Sequence, residues 1–112
     1  MTDRDDVTFE VVDDAAIVEL IGDVDLAAQS QLRAAIGLAL GEEGRVVIDL
    51  TYTRLIDSSG IVVLLQAWRE LQAAGREMVL WHPRPEVERV LTVTGVGDAI
   101  AADRPAANPP SG

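Results

Sequence analysis

Asp57-Ser58-Ser59-Gly60 sets two adjacent hydroxyls beside a carboxylate and a glycine. Before it, Val46-Val47-Ile48-Asp49-Leu50 is an apolar run with β-branched residues, which predicts a buried strand. After it, Ile61, Leu64, Leu65, Trp68 and Leu71 recur at helical spacing, which predicts an amphipathic helix with these five as its core stripe. The tetrad therefore stands at a helix entrance, where unpaired backbone N–H groups and the positive end of the dipole meet small polar side chains. An anion such as a phosphate is tolerated there. If Asp57 caps the helix, Ser58 takes the first helical position with its hydroxyl free. If Ser58 caps, that hydroxyl is occupied. The plainer alternative is that both serines only cap.

Other reactive groups are sparse. Asp23, Asp49 and Asp57 suggest a metal or acid/base site, but no histidine or further ligand is spaced to complete one. The single histidine, His82, precedes Pro83 and reads as a surface turn residue. Ser58 has no histidine base, so a hydrolase triad is not supported. Without cysteine there is no disulfide framework and no thiolate chemistry. The chain has no lysine and no glycine-rich phosphate loop, which argues against a nucleotide-binding or phosphotransfer enzyme.

The formal net charge is −10, and all nine basic residues are arginine. Such a surface repels nucleic acid and suits a partner with a basic docking face, although solubility alone is an equal reading. The acidic N-terminus is not a signal or transit peptide, and no apolar run is long enough to span a membrane. The expectation is a cytoplasmic protein, monomeric when free, without cofactor.

The elements that position the tetrad follow from the pattern. Val7, Phe9 and Val11 alternate with polar residues, Asp13-Asp14 turns the chain, and Ala15 to Ile21 returns as a more central strand. Gly22 releases that strand into a turn. Asp25 is an N-cap for a helix lined by Ala28, Leu32, Ala35, Ile36, Ala39 and Leu40, ended by Gly41. The strand Arg45 to Leu50 precedes a loop, Thr51 to Ile56, and then the tetrad and its helix, which runs to about Ala74. Arg76 to His82 reads as a further strand. Pro85 opens a third helix that stops at Gly95, and Val96 to Ala101 is a weak final edge strand. Residues 1–103 are expected to form one domain, and the Pro/Ala-rich residues 104–112 a disordered tail. Strands alternating with helices imply crossover connections and a mixed sheet.

Gly22-Asp23-Val24-Asp25, Val47-Ile48-Asp49-Leu50 and Ile56-Asp57-Ser58-Ser59-Gly60-Ile61 together resemble the STAS domain, and more narrowly the bacterial anti-sigma-factor antagonists. The resemblance covers roughly residues 7 to 101. It implies an α/β fold with a mixed four- to five-stranded sheet and about three helices packed on one face. It further implies a binding protein, not an enzyme. Such proteins bind an anti-sigma factor that is also a serine kinase with a GHKL-type ATP site. The kinase phosphorylates the first serine of the tetrad, here Ser58, which breaks the complex. A PP2C-type phosphatase resets it, and the dephosphorylated form frees the sigma factor. Asp25 matches an aspartate of the family pattern and is placed with Asp57, Ser59 and Gly60 among the partner-binding residues. The chain departs from the family in its light final strand, Asp98-Ala99-Ile100, and in Arg54, which adds a charge near the switch.

A second reading is a STAS accessory subunit of a lipid transporter or signalling assembly, without phosphorylation. One residue adds to the first reading from the helix pattern alone. Val62 falls outside the core stripe, and its neighbours at +4 and +7, Gln66 and Arg69, are polar. Val62 is therefore expected on a wet face one turn from Ser58, either as an unremarkable exposed valine or as part of a docking surface.

Overall fold

The computed structural model describes residues 6–96, so the strand expected over Val96 to Ala101 and the tail expected over 104–112 fall outside the described residues, apart from Val96 itself. The elements are β1 (Asp6–Val12), β2 (Ala15–Val24), a 3-10 turn (Leu26–Ala28), α1 (Gln29–Leu40), β3 (Arg45–Asp49), β4 (Thr53–Ile56), α2 (Ser58–Ala73), β5 (Met78–Trp81) and α3 (Pro85–Thr94).

β1 and β2 form the antiparallel hairpin that their alternation implies, turning through Asp13 at a φ of 55°. β3 then pairs parallel with β2, and β5 parallel with β3, giving the order β1-β2-β3-β5. Pro85 opens α3, and Gly95 closes it in the left-handed conformation at a φ of 82°, a terminus that favours glycine.

Several boundaries differ from expectation, and the strand expected over Arg76 to His82 is confined to Met78–Trp81. The segment Thr51 to Ile56 is not all loop: its last four residues form β4, which pairs parallel with Gly22–Val24 of β2. For the same reason β2 does not stop at Ile21 but runs on to Val24. The pairing is irregular. Gly22 partners Thr53 and Asp23 partners Leu55, so β4 carries one extra residue, Arg54. Thr53 is fully buried, with its hydroxyl donating to the Leu20 carbonyl at 2.7 Å.

The main core joins one face of the sheet, through Ala16, Val18, Leu20, Val46, Ile48 and Leu50, to residues of all three helices. Leu32, Ala35, Ile36 and Ala39 come from α1, Ile61, Val63, Leu64, Ala67 and Leu71 from α2, and Val87 and Leu91 from α3. The three helices thus share one face. The core stripe of α2 is corrected at two places. Leu65 and Trp68 are only half-buried, and Val63 and Ala67 take the inner positions. Leu65 and Trp68 still pack against the core from its margin.

Arg76 ties the far ends of these elements together. Its guanidinium donates to the carbonyls of Ala39, Leu40 and Gly44 at 3.2, 3.0 and 2.7 Å. On Ala39 and Leu40, at the end of α1, a cation satisfies carbonyls that have no partner within the helix, and the third acceptor, Gly44, lies in the loop before β3.

Candidate phosphorylation and docking site

β2 and β4 end together and deliver two turns side by side. The Asp57 N–H donates to the Val24 carbonyl at 3.0 Å, which ties the start of α2 to the end of β2. Asp57 is extended, with φ −104° and ψ −174°, and is the N-cap. Its Oδ1 accepts from the N–H groups of Ser59 and Gly60 at 2.9 and 3.3 Å, and from the Ser59 hydroxyl at 2.6 Å. The Ser59 hydroxyl, and then the N–H groups of Gly60 and Ser59, hold the Asp57 carboxyl below the usual carboxylate range against an opposing effect of burial.

This geometry separates the two serines. Ser59 is half-buried and its hydroxyl is committed to Asp57. Ser58 is the first helical residue, is exposed, and its hydroxyl has no hydrogen-bond partner among the described residues. Of the two arrangements that the sequence leaves open, capping by Asp57 is the one adopted.

Asp25 is also a cap, but not of α1. Its Oδ1 accepts from the Ala27 N–H at 3.1 Å and starts the 3-10 turn Leu26–Ala28, after which α1 begins at Gln29 with no side-chain cap. The extra turn carries exposed Leu26 outward. Gln29 then donates through Nε2 to the Ser59 carbonyl at 3.3 Å, and Arg33 donates to Gln66 at 3.1 Å. These two contacts set α1 and α2 side by side in the same direction, with their N-termini at one end. Neither Gln29 nor Arg33 carries a local sequence signal for this role.

Gly60 is buried, unlike the other residues grouped with it. A Cβ there would stand 2.8 Å from Val24 Cγ1 and 3.1 Å from Ile56 Cγ1. Gly60 has a packing role: its lack of a side chain lets α2 close onto the ends of β2 and β4. Val62 is 44% exposed, as its helical position implies, and Leu55, at 55%, is exposed on β4. Arg54 forms an ion pair with Asp23, Nε to Oδ1 at 2.9 Å. His82 is exposed and tilted against Trp81, at 5.7 Å between ring centroids. Among the described residues, no cluster of three or more His, Asp or Glu is placed to hold a metal ion, and no helix is long and apolar enough to cross a membrane.

A five-stranded mixed sheet with its helices on one face and an exposed serine at a helix entrance defines a small α/β domain. Comparison with known proteins places it further. The STAS domain model matches residues 6–107, and the chain belongs to that family. An anti-sigma F factor antagonist of Lysinibacillus sphaericus is 30% identical over 89 residues, which span 78% of this chain and 76% of the relative. The anti-sigma factor antagonist SpoIIAA in its unphosphorylated form superposes with a TM-score of 0.66 at 28% identity, covering 78% of this chain and 82% of SpoIIAA. The phosphorylated form of SpoIIAA, a Bacillus cell fate determinant, superposes with a TM-score of 0.68 at 28% identity, covering 83% of this chain and 86% of that one.

Proposed function

We propose that this chain is an anti-sigma-factor antagonist whose docking surface is switched by phosphorylation of Ser58. The observation that carries this reading is the division of labour in the tetrad: Asp57 holds Ser59 and leaves the Ser58 hydroxyl exposed at the entrance of α2. The names of its relatives, and the existence of SpoIIAA in both phosphorylation states, support it.

In this reading the unphosphorylated chain binds an anti-sigma-factor serine kinase of the GHKL type in the cytoplasm, and the kinase gives up its sigma factor. The chain itself catalyses nothing and needs no cofactor. Kinase-bound ATP then donates its γ-phosphoryl group to Ser58 Oγ. The hydroxyl proton is lost to the kinase, and ADP leaves. A PP2C-type phosphatase reverses the modification by hydrolysis.

The physics of the switch lies in where the charge arrives. Phosphoserine adds about −1.5 to −2 charges. The N-terminus of α2, with that of α1 beside it, offsets part of this charge, so the fold persists. The adjacent Asp57 carboxylate does not offset it. Ser58 stands one turn from exposed Val62, between Asp57 and Ser59. A charge placed in a surface that must lose water on docking costs several kcal/mol when unpaired. Phosphorylation is thus expected to empty the interface without unfolding the domain.

Reconstitution tests the reading. The unphosphorylated chain, added to a purified complex of the kinase with its sigma factor, should release the sigma factor, and Ser58→Asp should release far less. Equal release by both, or by neither, would contradict the proposal.

A further inference from the structure

The strand path β1-β2-β3-β5 ends in two edges, and they differ. β5 has four residues and is followed closely by Pro83, so its edge is short. β1 has seven residues, pairs with β2 without a register shift, and carries no proline or lysine. Among the described residues it pairs with β2 alone, so every other residue turns its N–H and C=O away from the sheet. Val7, Phe9 and Val11 oppose Leu20, Val18 and Ala16 of β2, and so lie on the face that the helices cover. Val7 and Phe9 are half-buried at the margin of the main core, and Val11 is 47% exposed. The edge is thus long, regular and apolar on its core side.

We propose that β1 is a self-association edge, and that its occupant is β1 of a second copy, run antiparallel about a twofold axis through Phe9. In this register the strand is complementary to its own reverse. Phe9 meets Phe9, Val7 meets Val11, and Glu10 meets Thr8. The apolar pairs all fall on the helix face, where they extend the margin of the core, and no two carboxylates oppose each other. Centring the pair on Glu10 instead sets two Glu10 carboxylates face to face, and centring it on Thr8 sets Glu10 against Asp6. Like charges directly opposite are destabilising, so the register through Phe9 is the one selected. A single strand edge is a small interface, so the dimer is weak. The net charge of −10 opposes it further at low salt. The free chain is then in equilibrium between monomer and dimer, in place of the monomer expected from the sequence.

Sedimentation equilibrium of the full chain from about 1 μM to about 1 mM, at low and high salt, reads the association across the range of weak to moderate dimers. The wild type should dimerise within this range, and more tightly at high salt. Val11→Lys should keep its melting temperature and weaken dimerisation tenfold or more, although it lowers the net charge. The chain has no cysteine, so cross-linking can read the register. Thr8→Cys and Glu10→Cys chains, both altered at exposed positions, are mixed in equal amounts and oxidised where the wild type is dimeric. The mixed disulfide should make up well over the half of the product that random pairing gives. A wild type still monomeric at the highest concentration would overturn the proposal and leave the edge to another occupant. Undiminished dimerisation of a folded Val11→Lys would overturn it too, as would cross-links that are random or mainly between identical chains. If Val11→Lys fails to fold, the cross-linking decides.

Discussion

The Ser59 hydroxyl donates to Asp57 Oδ1 at 2.6 Å, onto the same oxygen that receives the Ser59 and Gly60 N–H groups. One carboxylate thus caps α2 and occupies one serine, and the other serine is left exposed. The pair makes the two hydroxyls of the tetrad chemically unequal although they are neighbours in sequence.

Asp57 should make a measurable contribution that depends on acid. Its carboxyl is held below the usual range in the folded chain, so the unfolded chain binds the proton more readily. Its stabilisation is present above an ordinary aspartate pKa of about 3.9 and is lost as pH falls through the depressed folded value. Asp57→Asn keeps a capping side chain but no charge. Urea unfolding should find the wild type more stable than this variant at pH 6 and the two equal at the lowest pH where both fold. A difference independent of pH would contradict the assignment. Asp57→Ala, which also loses the cap, should cost about 1 kcal/mol at neutral pH.

Gly60→Ala should destabilise despite the better helix propensity of alanine. Propensity favours Ala by about 1 kcal/mol, but overpacking a filled core costs about 1–3 kcal/mol. The added methyl meets stiff, β-branched Val24 and Ile56 at 2.8 and 3.1 Å, so the clash should win. A melting temperature at or above that of the wild type would show that the junction yields more easily than its packing indicates.

Arg76→Ala should lower stability by about 1–3 kcal/mol, because three backbone carbonyls lose a charged donor. Arg76→Lys keeps the charge but not the fork and should fall between. Denaturant titration measures both. A lysine variant as stable as the wild type would mean that charge alone, and not the shape of the guanidinium, sustains the contact.

Much of this was legible in the sequence, for identifiable reasons. The tetrad announced a helix start because a carboxylate and small residues precede a long run at helical spacing. Pro85 and Gly95 marked the ends of α3 because each has a backbone preference that needs no tertiary context. β4 was hidden because it is short, and its bulge leaves both Arg54 and Leu55 exposed between buried Thr53 and Ile56, so no alternation survives. Asp25 was recognisable as a cap, but nothing local distinguishes a 3-10 turn from the first turn of a helix. The roles of Gln29 and Arg76 depend on carbonyls some thirty residues away, which only the fold brings near.

Val62→Glu tests the docking surface next to the switch. The position is 44% exposed and outside the core, so the melting temperature should barely move. Affinity for the kinase should fall about tenfold or more, equivalent to about 1.4 kcal/mol. Unchanged affinity would remove Val62 from the interface, and a large loss of stability would contradict its placement on the solvent face.

The central claim is that Ser58, and not Ser59 or Thr53, accepts the phosphate. Thr53 is fully buried and Ser59 is held by Asp57, whereas Ser58 is exposed. The direct measurement is to incubate the full chain with its kinase and ATP and to locate the added phosphate by tandem mass spectrometry, with Ser58→Ala and Ser59→Ala in parallel. The account predicts one phosphate on Ser58, none on Ser58→Ala, and continued modification of Ser59→Ala at Ser58. Phosphate on Ser59 or Thr53 in the wild type, or undiminished labelling of Ser58→Ala, would contradict it.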